Sequence, residues 1–225
     1  VTHASHNIGY AYDEDWTYDG FHPWGYTSFD AYYRDVDTNT VELRFVSGDQ
    51  WRLFNDTTSW VIGTRVKNNK EDLLRQYTYA DGDFVSQYQP ITQAVYGQLE
   101  SQLTNDLLLT FALRAENYDF SYGDNAGLSG EQDSTMLGGK LALSYQLGQQ
   151  LVYASVSRGY KGAGINPDQN VSTDNRFYDE EYNWNYEIGM KGRLADQLTS
   201  RVAFFVMKRE DTQVSDYELQ YRDDG

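Results

Sequence analysis

The chain of 225 residues carries 18 Lys+Arg against 34 Asp+Glu, a formal net charge of −16, so no basic surface is available to hold a nucleic acid. It has no Cys, which excludes disulfide scaffolds, thiolate zinc sites and cysteine nucleophiles; its three His all precede position 23, leaving little for imidazole metal sites or Ser-His catalysis. Twenty Tyr and five Trp against three Pro are the reverse of a disordered composition and favour strands and turns.

Mean hydropathy is −0.71, and no run approaches the roughly 18 apolar residues of a membrane helix. Membrane strands stay open, because only alternate residues of such a strand face lipid. No charged-then-apolar leader opens the chain, so it is either unexported or has lost its beginning.

In chain order, His3 and His6 come first; on a strand this spacing points them to opposite faces, away from a shared metal. A loop over 13–35 follows. It sets Trp16, Tyr18, Phe21, Trp24, Tyr26, Phe29, Tyr32 and Tyr33 among Asp13, Glu14, Asp15, Asp19, Asp30 and Asp35. Such rings suit flat catecholate, porphyrin or sugar rings, or else pack the loop on itself. No residues follow the spacing of a calcium loop.

From Val41 onward the dominant period is two. Val41, Leu43 and Phe45 oppose Glu42 and Arg44; Trp60, Ile62 and Val66 oppose Arg65 and Lys67; Ile91, Val95 and Leu99 oppose Tyr96, Gln98 and Glu100. Leu107, Leu109, Phe111, Leu113 and Ala115 then alternate with Leu108, Thr110, Ala112, Arg114 and Glu116. Leu137 to Leu147 alternate with Gly138, Lys140, Ala142, Ser144 and Gln146, and Trp184 to Leu194 with Asn185, Glu187, Gly189, Lys191 and Arg193. This pattern predicts about ten strands and no helix.

Short links at 104–106, 148–150 and 195–197, and a longer one at 47–57, alternate with long polar loops at 13–35, 69–89, 118–133 and 162–181. Outer-membrane barrels place short turns on one side and long loops on the other in this way. A soluble sandwich shares the period, but several runs here exceed the roughly 5–6 residues of a soluble strand and match the roughly 9–11 of a bilayer-spanning one. Trp60, Tyr145, Trp184 and Tyr186 fall on the apolar register near strand ends, where an interfacial girdle belongs.

Residues 151–166, LVYASVSRGYKGAGIN, and 179–192, DEEYNWNYEIGMKG, resemble the barrel domain of TonB-dependent receptors. The first resembles that family's Tyr-Ala-Ser-x-Ser-Arg-Gly-Tyr/Phe-Lys strand at Tyr153 to Lys161. The second resembles its Glu-x-x-Asn-Tyr-Glu-x-Gly-x-Lys strand, with Glu181, Asn185, Tyr186, Glu187, Gly189 and Lys191. The resemblance implies an all-β, antiparallel up-and-down transmembrane barrel in the bacterial outer membrane, here about ten strands of the larger, roughly 22-stranded type. Residues 1–225 are then expected to be part of a single barrel domain, whose plug and ends lie outside this sequence and whose last residues, Asp223 to Gly225, fall in a loop.

The activity so implied is energised uptake of a ferric siderophore or a similar large nutrient, with the TonB complex, outer-membrane lipid and lipopolysaccharide as partners. No cofactor and no covalent chemistry are implied. A passive porin and a soluble carbohydrate-binding sandwich are the rival readings. Trp16, Tyr18, Trp24, Tyr26, Arg158 and Tyr160 are the candidate ligand contacts, the last two at a strand end where lipopolysaccharide or cross-strand contact is the rival role. Arg114, Glu116, Lys140, Glu187 and Lys191 are expected on the lumen or plug side. The glycines at 159, 162 and 164 lack the dinucleotide-binding spacing, Gly138-Gly139-Lys140 is no phosphate loop, and no Gly-x-Ser-x-Gly elbow occurs, so the case for an enzyme is poor.

Overall fold

A computed structural model of the protein describes every residue except 19, 169–170, 173–174, 196 and 215–225, and every side chain of those except that of Leu194. Asp19, Asp196 in the last short turn, the Leu194 side chain and the stretch Asp223 to Gly225 therefore lie outside the described residues. Nine strands form one antiparallel sheet in the order β1 (Thr2–Asp13), β2 (Phe29–Val46), β3 (Thr58–Tyr77), β4 (Phe84–Gln102), β5 (Leu107–Asp124), β6 (Ser129–Leu147), β7 (Gln150–Lys161), β10 (Glu181–Ala195) and β11 (Leu198–Glu210). Between β7 and β10, β8 (Gly164–Ile165) and β9 (Phe177–Tyr178) make a separate small hairpin. Every pairing in the large sheet is between neighbours, apart from β7 with β10 across that hairpin.

Two adjacent rows of the ladder show why the period is two. One runs Trp60, Leu99, Phe111, Leu141, Val156, Tyr186, Val206; the next runs Val61, Gln98, Ala112, Lys140, Ser157, Asn185, Met207. Successive Cβ atoms point to opposite faces, so the first row lies wholly on an apolar face and the second on a mostly polar one. The apolar row starts near the short-turn end of β3 and climbs toward the loop end of β11. That stagger is what tilted strands of a barrel wall require.

The apolar face has no cover. Ile62 is 55 % exposed, Val95 59 % and Ile188 56 %, and among the described residues no second layer packs on them. A soluble sandwich would bury that face between two sheets. The buried hydrophobic cluster lies on the other face at the loop end, where Phe120, Tyr122, Leu128 and Ala163 pack with Tyr88, Tyr118, Ile165 and Phe177. The connection after β7 thus folds back over the polar face of β4 to β6.

Three of the four expected long loops are much shorter than the sequence pattern suggests. The connections shrink to 14–28, 78–83 and 125–128, because β2 to β6 continue well past their apolar stripes. Beyond the stripe the outward register turns polar: Asp35 and Asp37 on β2, Lys70 and Asp72 on β3, Gln87 and Gln89 on β4, Asp119 on β5, Glu131 and Asp133 on β6. The backbone ladder stays paired while the outward register turns hydrophilic and the apolar rings move to the inner register, so the stripe that marks the strand is lost. β1 was hidden for the same reason. The 47–57 link carries one 3₁₀ turn, Asp49–Trp51, and Gly148 takes φ 58° in the two-residue turn between β6 and β7.

Candidate functional site: an aromatic and arginine band on the polar face

At the loop end, the polar face of β1 to β3 brings together rings separated widely in sequence. Tyr10 stacks on Tyr32 with centroids 5.0 Å apart and planes 8° apart, and Tyr12 meets Tyr32 edge-on at 6.2 Å. Arg75 lies over Tyr32 and Tyr77 at 5.2 and 5.3 Å, and is held there by Asp30, which accepts from its Nε at 2.8 Å and its Nη2 at 2.7 Å. This is a bidentate fork on a carboxylate that is itself almost wholly buried. Tyr32 Oη donates to the same carboxylate at 2.9 Å. Next along the wall, Arg34 pairs with Glu71, and Tyr88 and Tyr118 share a hydroxyl hydrogen bond.

The expected lumen residues sit lower on the same face. Arg114 Nε donates to Glu116 Oε2 at 2.8 Å, and its guanidinium stands 5.8 Å from the Tyr96 ring. Lys140 lines a recess of about 280 Å³ with Glu42, Arg65, Tyr96 and Arg114. Glu187 accepts from Tyr153 Oη at 2.5 Å, while Lys191 stands in register between Leu151 and Arg201. Two of these contacts share a device: Tyr96 lies across Gly63 and donates to Glu42, and Tyr153 lies across Gly189 and donates to Glu187. Glycine on the paired strand opens the space that the ring needs, and the ring covers the bare backbone.

The six expected ligand contacts do not converge. Trp16, Tyr18 and Trp24 stand in the 14–28 connection at 90 %, 74 % and 86 % exposure. Tyr26 stacks on Tyr79 of the neighbouring connection at 6.0 Å. The connection is tied down mainly by its acids: Asp15 accepts from Thr17 Oγ1 at 2.8 Å and from the Ser28 amide at 2.9 Å, and Glu14 accepts from Ser28 Oγ at 2.8 Å. The Thr17 hydroxyl, together with the Ser28 amide, holds the Asp15 carboxyl well below the usual carboxylate range. Tyr160, on β7 and five strands from β2 in the ladder, accepts from Arg114 Nε at 3.0 Å and lies over Gly138 on the polar face.

Arg158, named beside Tyr160 as a candidate contact, does not share its face. It takes its place in the row Leu113, Gly139, Arg158, Trp184, Lys208, on the apolar face, with its guanidinium 3.7 Å from the Tyr182 ring. Simple alternation puts Arg158 and Tyr160 on one face; they part because β7 loses its β6 partner after Arg158 and the chain beyond turns over the polar face. The residues that sequence reading missed are Tyr10, Arg75, Tyr77 and the run Tyr118, Phe120, Tyr122. That last run carried a usable signal, since rings at i, i+2 and i+4 mark one face of a strand.

Comparison with known proteins agrees with this wall. Residues 2–225 match the family described as "TonB dependent receptor-like, beta-barrel". A "Ferric-pyoverdine 358 receptor" of Pseudomonas putida is 31 % identical over 124 residues, covering 52 % of this chain and 14 % of that protein. The ferric yersiniabactin uptake receptor FyuA of Yersinia pestis superposes with a TM-score of 0.64 at 24 % identity, over 84 % of this chain and 30 % of that one. The alcaligin outer-membrane receptor FauA of Bordetella pertussis gives 0.59 at 16 %, over 81 % and 30 %. These structures show the shared fold, and the chain spans less than a third of either receptor. With an uncovered apolar face, a tilted antiparallel ladder and a match along nearly its whole length, the chain belongs to the outer-membrane β-barrel of the TonB-dependent receptors.

Proposed function

We propose that this barrel wall serves energised uptake of a ferric siderophore or a chelate of similar size, and that the polar face lines the lumen. The band of Tyr10, Tyr32, Tyr77, Tyr88 and Tyr118 with Arg34 and Arg75 carries the reading. Flat ring faces suit catecholate or other planar donor groups, and oriented guanidinium and hydroxyl groups suit their oxygens. The relatives named above as ferric-pyoverdine and ferric yersiniabactin receptors support this class of solute.

Each arginine of the band is already held by a carboxylate, Arg75 by Asp30 and Arg34 by Glu71. The wall therefore offers donors and rings in fixed orientation with little net charge, and recognition through it depends only weakly on salt. In the same reading, Arg114, Glu116, Lys140, Glu187 and Lys191 face a plug, through which the TonB complex transmits force. The fused test is growth of a strain that depends on the full-length receptor, supplied with one ferric siderophore at a time. Rescue by at least one, with Tyr32→Ala or Tyr118→Ala weakening its binding roughly two- to tenfold, supports the proposal. Rescue by none, or passage of small solutes without the energy-coupling complex, contradicts it.

A further inference from the structure

The guanidinium groups on the polar face at the loop end do not add up to a cationic site. Arg75 is held by Asp30 through its two-point fork, and Arg34 by Glu71. Across the sheet Arg209 repeats the fork, its Nε and Nη2 donating to the two oxygens of Glu181 at 2.6 Å each. Asp30 and Glu181 are buried, so each fork is fixed and its charge is cancelled at close range. Lys161 stands opposite Glu181 in the ladder, which sets one more cation beside a carboxylate. Asp124, on the same face, accepts from neutral groups: Tyr122 Oη at 3.0 Å and the amides of Ala126 and Leu128 at 2.9 and 3.0 Å. At this level the wall is close to electroneutral.

Beyond the strand ends the balance turns negative. By sequence, the connections 14–28, 78–83 and 162–180 hold nine acids against one arginine and no lysine. Four of these carboxylates are met by neutral donors that leave the charge in place: Asp15 by Thr17 and Ser28, Glu14 by Ser28, Asp83 by Gln76, and Asp179 by Gln132. An incoming solute therefore meets a field of one sign before it reaches the rings. The charge of a ferric chelate follows from its donors. Three hydroxamates, each losing one proton, cancel the three charges of the ferric ion; three catecholates, each losing two, leave a trianion. Every acid of the connections repels the trianion three times over, and both guanidinium groups of the band are already engaged. A hydroxamate is also planar, so it keeps its fit to the stacked Tyr10 and Tyr32 without carrying net charge into the mouth.

We infer that the solute is an uncharged ferric tris-hydroxamate, selected over anionic chelates by a neutral aromatic wall set beneath acidic connections. The inference rests on the reading of the band as a solute site and narrows which chelate that site takes. The test uses the full-length receptor in detergent, titrated with a neutral ferric tris-hydroxamate and with a trianionic ferric tris-catecholate of similar size, each in low and in high sodium chloride. In low salt the neutral chelate is expected to bind at least about tenfold more tightly, and salt to leave its affinity unchanged. Salt is expected to tighten the trianion severalfold, because it screens the repulsion. Asp81→Asn, Asp83→Asn and Glu180→Gln together remove three charges from the connections without touching the band. That triple variant is expected to narrow the preference at least about threefold and to hold the neutral chelate as the wild type does. Equal or tighter binding of the trianion overturns the inference, as does a preference that either high salt or the triple variant leaves intact. Binding of neither chelate overturns it too, and growth on other ferric siderophores then tells whether the uptake reading survives. The two salt arms on the wild type keep the test decisive if the triple variant fails to fold.

Discussion

Ile188 and Lys191 stand three residues apart on β10 and face opposite ways, which makes them a direct comparison of the two environments. Ile188→Arg puts a cation on the lipid face, at a cost of about 2–4 kcal/mol near the bilayer midplane. Insertion of this variant into outer membranes is expected to fall, and that of Lys191→Ser to match the wild type. Gly189→Ala is a second residue-scale case. A Cβ there stands 2.6 Å from the Tyr153 ring, which is pinned by its bond to Glu187. The variant is expected to insert less well, and Tyr153→Ala in the same chain to restore part of the loss, read as heat-modifiable mobility on gels. At this scale the sequence was highly legible on the lipid side, because Leu113 or Ile188 differs so sharply from Arg114 or Glu187. Tyr160 was not, because its face depends on where β7 loses its β6 partner, which no local pattern records.

At the scale of elements, legibility followed hydropathy contrast. The stripes of β5, β6 and β10 were plain, whereas the upper halves of β3 to β6 read as loop because their outward register there is polar. The candidate site suffered most from this. Tyr118, Phe120 and Tyr122 belong to a paired strand, and the Tyr32–Arg75–Asp30 contact joins strands whose upper parts looked irregular. The 14–28 connection gives two predictions. Asp15 has a folded pKa below its ordinary 3.8, so its contribution is fully present above about that pH and is lost as pH falls further. Amide exchange within 14–28 is therefore expected to speed up below pH ~4, while Asp15→Asn speeds it already at neutral pH. Replacing residues 16–26 by a short flexible linker is expected to weaken solute binding; unchanged affinity removes Trp16, Tyr18, Trp24 and Tyr26 from the site.

For the whole molecule, one arrangement carries the account: a single tilted sheet with its apolar face bare and, along the apolar belt, its charged residues on the other side. A chain with mean hydropathy of −0.71 can cross a bilayer in this way because only every second residue meets lipid. These residues contain no cysteine, so single cysteines can be placed along β5 from Leu109 to Ala115 and spin-labelled within membranes in a full-length receptor freed of any cysteine elsewhere. Collision rates with oxygen, which dissolves in lipid, and with a water-soluble nickel chelate are then measured site by site. The account predicts that labels at 109, 111, 113 and 115 collide preferentially with oxygen, and labels at 110, 112 and 114 do not. A flat profile, or the opposite alternation, contradicts it.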